Sequence, residues 1–90
     1  MGSAWDDLGD KHKALAFYEQ ALTLRRAVGD RGGEAITCFN IGMLHYKLGD
    51  LDSAIAHVER CVELREQIAH PALESNRQVL NWLKAMRDTG

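Results

Sequence analysis

Pairs of acidic residues perform general acid–base catalysis in many enzymes. The acidic pairs of this chain of 90 residues are therefore the first candidates for a catalytic site. Two such pairs occur, Asp6 with Asp7 and Glu59 with Glu63. No nucleophile, base and orienting group can be assembled around either pair from neighbouring turns. Charged residues on helix surfaces explain both pairs, and we predict that the chain is not an enzyme.

Histidines raise the question of a metal centre. The chain has four of them: His12, His45, His57 and His70. No two lie three or four residues apart, so no helix presents two imidazoles on one face, as helical zinc sites do. We expect His45 to pack inside the fold and His12 and His57 to face water, and we predict neither a metal nor any other cofactor.

The two cysteines have no spacing typical of metal ligands. Cys38 and Cys61 are expected on facing helices, where buried thiols act as small hydrophobic groups. Whether they ever pair depends on a geometry that the sequence does not give. Reduced thiols indicate a cytoplasmic protein.

The glycine-rich stretch "GDRGGE", residues 29–34, resembles a phosphate-binding loop only superficially. It lacks the lysine and the hydroxyl residue of such a loop, and no strand precedes it. We interpret it as a connection between two helices.

Composition excludes two classes of partner. The net charge is −2, and both signs are mixed along the chain, whereas nucleic-acid binding needs a concentrated basic face. No polybasic segment would attract an anionic membrane, and no apolar run is long enough to span one. We therefore predict no nucleic acid and no membrane partner.

A repeat dominates the organisation of the chain. "LGDKHKAL", residues 8–15, returns forty residues later as "LGDLDSAI", residues 48–55. Glycine just past a helix end accepts a positive φ, and aspartate caps the start of the next helix. Each "LGD" thus predicts a turn between two helices, at Gly9–Asp10 and at Gly49–Asp50.

The second unit shows the two helices of such a hairpin. The apolar positions of each helix can share one face. They are Ile36, Ile41, Leu44, His45 and Leu48 in the first helix, and Leu51, Ala54, Ile55, Val58, Cys61, Val62 and Ile68 in the second. Gly42 and Ala54 are small where the helices should cross, and Pro71 should begin a last helix that runs to about Arg87.

These residues resemble the tetratricopeptide repeat family, in which helical hairpins stack into a solenoid. The resemblance rests on Cys38, Ile41, Gly42, His45, Gly49, Asp50, Ala54, Val58 and Cys61 in the second unit, and on Gly2, Trp5, Gly9, Asp10, Ala14, Tyr18 and Ala21 in the first. The forty-residue period is similar to the long-repeat variety of bacterial multidomain regulators and spindle-orientation adaptors.

The resemblance implies an all-α, antiparallel helix-hairpin solenoid in one domain, residues 1–90. We expect five helices: a truncated first repeat (1–30), a full second repeat (31–70) and a capping helix (71–90). The family's function implies a non-enzymatic scaffold, here bacterial, that binds a protein or peptide in a concave groove. By register, the groove residues are Thr37, Asn40, Met43, Tyr46, Lys47, Arg77, Asn81 and Lys84.

The truncated first repeat suggests a second function. Helix 11–28 would lack part of its neighbour, and exposed apolar surface of this kind tends to associate. We expect a homodimer, formed by stacking or by helix exchange. The residues expected to take part are Trp5, Phe17, Tyr18 and Trp82.

Overall fold

The computed structural model describes residues 4–89, with side chains from residue 9 onward. This part of the chain forms four α-helices and no strand: α1 (Ala4–Val28), α2 (Arg31–Lys47), α3 (Leu51–Gln67) and α4 (Leu73–Thr89). Short connections bring consecutive helices together, so that α1 packs on α2, α2 on α3 and α3 on α4. The all-α fold of helical hairpins that the sequence predicts is confirmed.

The predicted turn at Gly9–Asp10 is wrong, because α1 continues through both residues. The described chain therefore has four helices rather than five. Gly9 is not among the glycines with positive φ. A helix tolerates an internal glycine at about 1 kcal/mol relative to alanine. This weak local preference produces a turn only where packing stabilises the folded-back chain. At Gly9 a Cβ atom would meet no other atom within 4 Å, so no close packing favours a turn there.

The turns between the helices of the described hairpins have the predicted glycine with positive φ, followed by an aspartate that caps the next helix. Gly49 has φ +85°, and the Asp50 carboxylate accepts a hydrogen bond from the Ser53 backbone N–H at 3.1 Å. The connection before α2 is built in the same way, with Gly29 at φ +72° and Asp30 as the cap. The ionised carboxylate of Asp50 is the better acceptor for these hydrogen bonds. The hydrogen bonds from Ser53 therefore hold the pKa of Asp50 below its usual value.

Two clusters of buried side chains form the core. The first joins α1, α2 and α3 through Leu22, Ala35, Cys38, Ile41, Cys61 and Leu64. The second joins α3 and α4 through Ala54, Ile55, Val58, Val62, Leu80 and Leu83. Phe39 of α2 contacts both clusters and so links them. Ile36 and Ile68, which the apolar pattern assigned to the packed faces, are 52% and 39% exposed instead.

The close approach of α2 and α3 at Gly42 is confirmed. A Cβ atom at this position would lie 2.8 Å from Val58 Cγ2 and 3.1 Å from the carbonyl oxygen of Ala54. Only glycine leaves room for the two backbones at this separation. Because α2·α3 is the most extensive of the helix contacts, Gly42 sets the distance on which the rest of the stack is built.

The two "LGD" glycines are expected to respond oppositely to alanine. Gly9→Ala should raise the free energy of unfolding by up to about 1 kcal/mol, because alanine favours a helix. Gly49→Ala should lower it by about 1 kcal/mol, because alanine resists a positive φ. Neither added methyl group would meet another atom within 4 Å, so packing does not contribute. Urea unfolding of both variants measures this, and shifts in the same direction would contradict the continuous α1.

Candidate interaction surface

The exposed face of α2 carries a row of side chains suited to binding. Ile36, Asn40, Met43 and Lys47 are spaced four, three and four residues apart, so they lie along one side of the helix. Lys47 and Ile36 are exposed, while Asn40 and Met43 are half-buried. The packed side of α2 holds this row in place, because Cys38, Ile41 and Gly42 are buried there. We call these four residues the α2 row.

An aromatic pair adjoins the α2 row where α2 meets α4. The rings of Tyr46 and Trp82 lie 5.0 Å apart between centroids, with their planes tilted by 55°. Tyr46 also packs with Met43 against the second core cluster. Trp82 keeps 49% of its surface exposed, although it is held by this contact. The pair offers a large, rigid and partly apolar surface next to the α2 row.

Thr37, predicted to face the groove, lies elsewhere. It is only 6% exposed, and its hydroxyl donates a hydrogen bond to the Gly33 carbonyl oxygen at 2.8 Å. One residue turns a side chain by about 100° around a helix, which carries Thr37 from the direction of Ile36 towards the packed side. The error is one of register: the exposed side chain at this end of α2 is Ile36, which the sequence pattern had assigned to the core.

The three groove residues predicted on α4 do not join the aromatic pair. Arg77 forms ion pairs with Glu66 of α3 at 3.1 Å and with Glu74 at 3.6 Å. Lys84 follows Arg77 by seven residues and so lies on the same side of α4, turned away from Trp82. Asn81 is exposed but lies about 100° from Trp82 around the helix. The structure therefore places Arg77 against Glu66 of α3 and Lys84 on the same side of α4 as Arg77, away from the aromatic pair.

The residues predicted for self-association are scattered. Phe17 is 74% exposed on α1, whereas Tyr18 is half-buried against the first core cluster. Trp82 lies at the other end of the molecule beside Tyr46. The side chain of Trp5 lies outside the described residues. Phe17, Tyr18 and Trp82 do not form one patch, but Phe17 begins an apolar face of α1 that Leu24 and Val28 continue.

A buried carboxylate at the start of α2 ties three helices together. Glu34 is 5% exposed, and its Oε2 accepts hydrogen bonds from Arg26 Nε of α1 at 3.0 Å and from Arg60 Nε of α3 at 3.1 Å. Burial by itself would raise the pKa of Glu34, but the hydrogen bonds and charges of the two arginines outweigh it and lower the pKa. This site was not predicted from the sequence, in which its only signal is one acidic residue among small and apolar neighbours.

The thiols and imidazoles do not form a reactive site. Cys38 and Cys61 are free and fully buried, and burial raises the pKa of Cys38 to about 11, so its thiol stays protonated at neutral pH. His45 and His57 stack with ring centroids 5.3 Å apart, and both are half-buried, although we expected His57 to face water. Among the described side chains, no three potential ligands converge on a metal position.

None of the described helices is long and apolar enough to cross a bilayer. The surfaces that remain for function are the α2 row with its aromatic pair, and the apolar face of α1.

Comparison with known proteins agrees with this architecture. The family model described as tetratricopeptide repeat matches residues 7–67, which run from α1 to the end of α3. The matched segment covers most of the chain and includes the hairpin with the Gly42 crossing. Searches of curated proteins and of solved structures gave no match. The chain belongs to the tetratricopeptide repeat family.

Proposed function

We propose that this chain is a protein-interaction module that binds a peptide or helix of a partner protein along the α2 row and the Tyr46–Trp82 pair. Tetratricopeptide repeats generally mediate contacts between proteins. The main observation behind the proposal is that the Trp82 ring packs against Tyr46 and yet is half exposed. Tryptophan and tyrosine dominate the binding energy of many interfaces, because they bury large areas with few rotatable bonds.

The chemistry of the surface indicates what the partner carries. Ile36, Met43 and Trp82 offer apolar contact, and methionine adapts its shape to different side chains. Asn40 offers an amide that both donates and accepts, which suits a peptide backbone. Lys47 is the only charged residue of the α2 row, and it favours an acidic side chain at that end. We infer a partner segment with one or two apolar anchors and an acidic residue beyond them.

A library of displayed peptides tests this proposal. Peptides selected on the wild-type chain are expected to share the apolar and acidic pattern. Their dissociation constants should rise at least about tenfold for Trp82→Ala, because hot-spot aromatic residues contribute that much or more. Isothermal titration measures the constants, and circular dichroism shows whether each variant keeps its helices.

Asn81→Ala is the matched control, because Asn81 is exposed on the same helix next to Trp82 but points elsewhere. Binding should be unchanged in this variant. Peptides that bind Trp82→Ala and wild type equally well would overturn the proposed surface.

A second candidate function is self-association, favoured by the exposed apolar side chains on α1. Phe17 and Val28 are 74% and 75% exposed, and Leu24 between them is 67% exposed. Surfaces of this kind are usually covered by another helix. We infer that the chain forms a homodimer and acts as a non-enzymatic, cytoplasmic scaffold of the long-repeat, bacterial variety.

A further inference from the structure

The outer face of α1 is an apolar seam with a spacing that matches itself. Phe17, Ala21, Leu24 and Val28 are separated by four, three and four residues, as in the seam of a coiled coil. This spacing reads the same in both directions along the helix. Two copies of α1 laid side by side in opposite directions therefore superimpose one seam on the other, with the symmetry axis between residues 22 and 23.

We propose that this seam binds a second copy of the chain, with the two α1 helices antiparallel. In this register Phe17 of each copy faces Val28 of the other, and Ala21 faces Leu24. Each layer thus pairs a larger side chain with a smaller one, as interdigitated helices require. This inference rests on self-association, the second candidate function, and is independent of the surface on α2 and α4.

A depression on α1 provides the space for the bulkiest residue of the seam. It has a volume of about 230 Å³ and is lined by Ala21, Leu24, Arg25 and Val28. Phe17 of the second copy lies at the height of Val28 in the antiparallel register, so its ring enters this depression. The largest protruding side chain and the cavity that receives it are therefore related by the same symmetry axis.

The residues beside the seam are compatible with this arrangement. An antiparallel pair brings Arg25 of one copy next to Tyr18 of the other, where a guanidinium can lie against the ring. On the other side, Gln20 lies next to Ala27 of the second copy. Between residues 17 and 28 of the two copies no two like charges meet, and Arg25 is half exposed even though it pairs with Asp30 at 2.9 Å.

The size of the seam sets the strength of the dimer. Three large side chains expose roughly a few hundred Å² of apolar surface per copy. Two copies bury less than the ~1,200 Å² typical of stable complexes. The dimer is therefore weak and forms only as the protein concentration rises.

Sedimentation velocity of the chain between about 20 µM and 1 mM tests the proposal, since weak complexes dissociate in this range. The wild type should shift from monomer to dimer. Leu24→Glu should remain monomeric, because it places two carboxylates in the apolar layers. Thr23→Glu is the control: it adds the same charge at the neighbouring exposed position, off the seam, and should dimerise like the wild type.

Two double variants test the direction of the helices. Gln20→Lys with Ala27→Glu creates two attractive pairs between antiparallel copies, so the dimer fraction should increase. Gln20→Glu with Ala27→Glu creates two repulsive pairs, so it should decrease. Parallel helices would place position 20 near Arg25 of the other copy and reverse both results, which would overturn the proposed register.

The possible failures are distinguishable. A wild-type chain that remains monomeric up to about 1 mM overturns both the interface and self-association as a function of this chain. A dimer that persists in Leu24→Glu overturns the interface alone. Peptide binding at Trp82 is measured independently of either result.

Discussion

Replacing Gly42 with valine is expected to destabilise the chain by about 3 kcal/mol or more, the upper range for overpacking a core. The first added carbon alone would lie 2.8 Å from Val58 Cγ2 and 3.1 Å from the Ala54 carbonyl oxygen. Neither neighbour can yield easily, because Val58 is fully buried and the Ala54 oxygen belongs to the α3 backbone. Since small domains have about 5 kcal/mol of stability at the low end, this loss would remove more than half of the stability and raise the unfolded fraction at 25 °C to a few per cent or more.

Gly9→Val is the matched control for this prediction. A Cβ at position 9 meets nothing within 4 Å, so the same substitution there should change stability by less than about 1 kcal/mol. Val58→Ala in the Gly42→Ala background should be less damaging than Val58→Ala alone, because it removes the closest contact. Urea unfolding followed by circular dichroism gives all these values. A folded Gly42→Val chain of wild-type stability would show that α2 and α3 do not cross at this glycine.

Replacing Glu34 with glutamine is expected to destabilise the chain by about 2 kcal/mol at neutral pH. Hydrogen bonds that involve charged groups contribute about 1.5–3 kcal/mol each. Glu34 accepts one from Arg26 and one from Arg60. Glutamine keeps the shape and one acceptor oxygen but loses the charge. Both arginine side chains are about half exposed, at 54% and 41%, so water screens them and keeps the loss in the lower part of the range.

The loss of stability in Glu34→Gln should depend on pH. Since the folded chain has the lower pKa at Glu34, the ionised carboxylate stabilises it at neutral pH. That contribution stays complete above the ordinary carboxyl pKa of 4.5 and is lost as the pH falls through the lower folded value. The difference in unfolding free energy between wild type and Glu34→Gln should therefore shrink below about pH 4.5. Denaturant titrations from neutral to acidic pH measure it.

Glu63→Gln is the control for Glu34→Gln. Glu63 is 62% exposed and contacts the same Arg60 at 3.4 Å. Exposed ion pairs contribute about 0–1 kcal/mol, so this variant should stay close to wild type at every pH. An equal loss in the two variants would contradict the role assigned to the buried carboxylate.

The contrast between the two "LGD" segments shows which structural features the local sequence can predict and which it cannot. Glycine followed by aspartate was enough to predict the turn at Gly49–Asp50, because positive φ and capping are local properties. The same three letters at residues 8–10 lie inside a helix. Local preferences there amount to about 1 kcal/mol, and the neighbouring helices decide between a turn and a continuous helix.

The proposed binding surface shows the same limit at the level of single side chains. The apolar period identified α2 as a helix and placed Ile36 in the core, whereas the resemblance to the repeat family placed Thr37, Met43 and Lys47 in the groove. In the structure Ile36 is exposed and Thr37 is buried. A helix turns by about 100° per residue, so a register error of one position moves a side chain from the partner to the core.

The sequence by itself determined the all-α class, the hairpin of α2 and α3, the glycine at their crossing and the cap at Asp50. Periodicity, capping and steric size act between residues that are close along the chain or equivalent in a repeat. They can therefore be recognised in the sequence alone. Only the tertiary structure decided that α1 is continuous, that Glu34 joins three helices and that Tyr46 meets Trp82. Those features depend on residues far apart in sequence, and their energies arise only once the helices have packed.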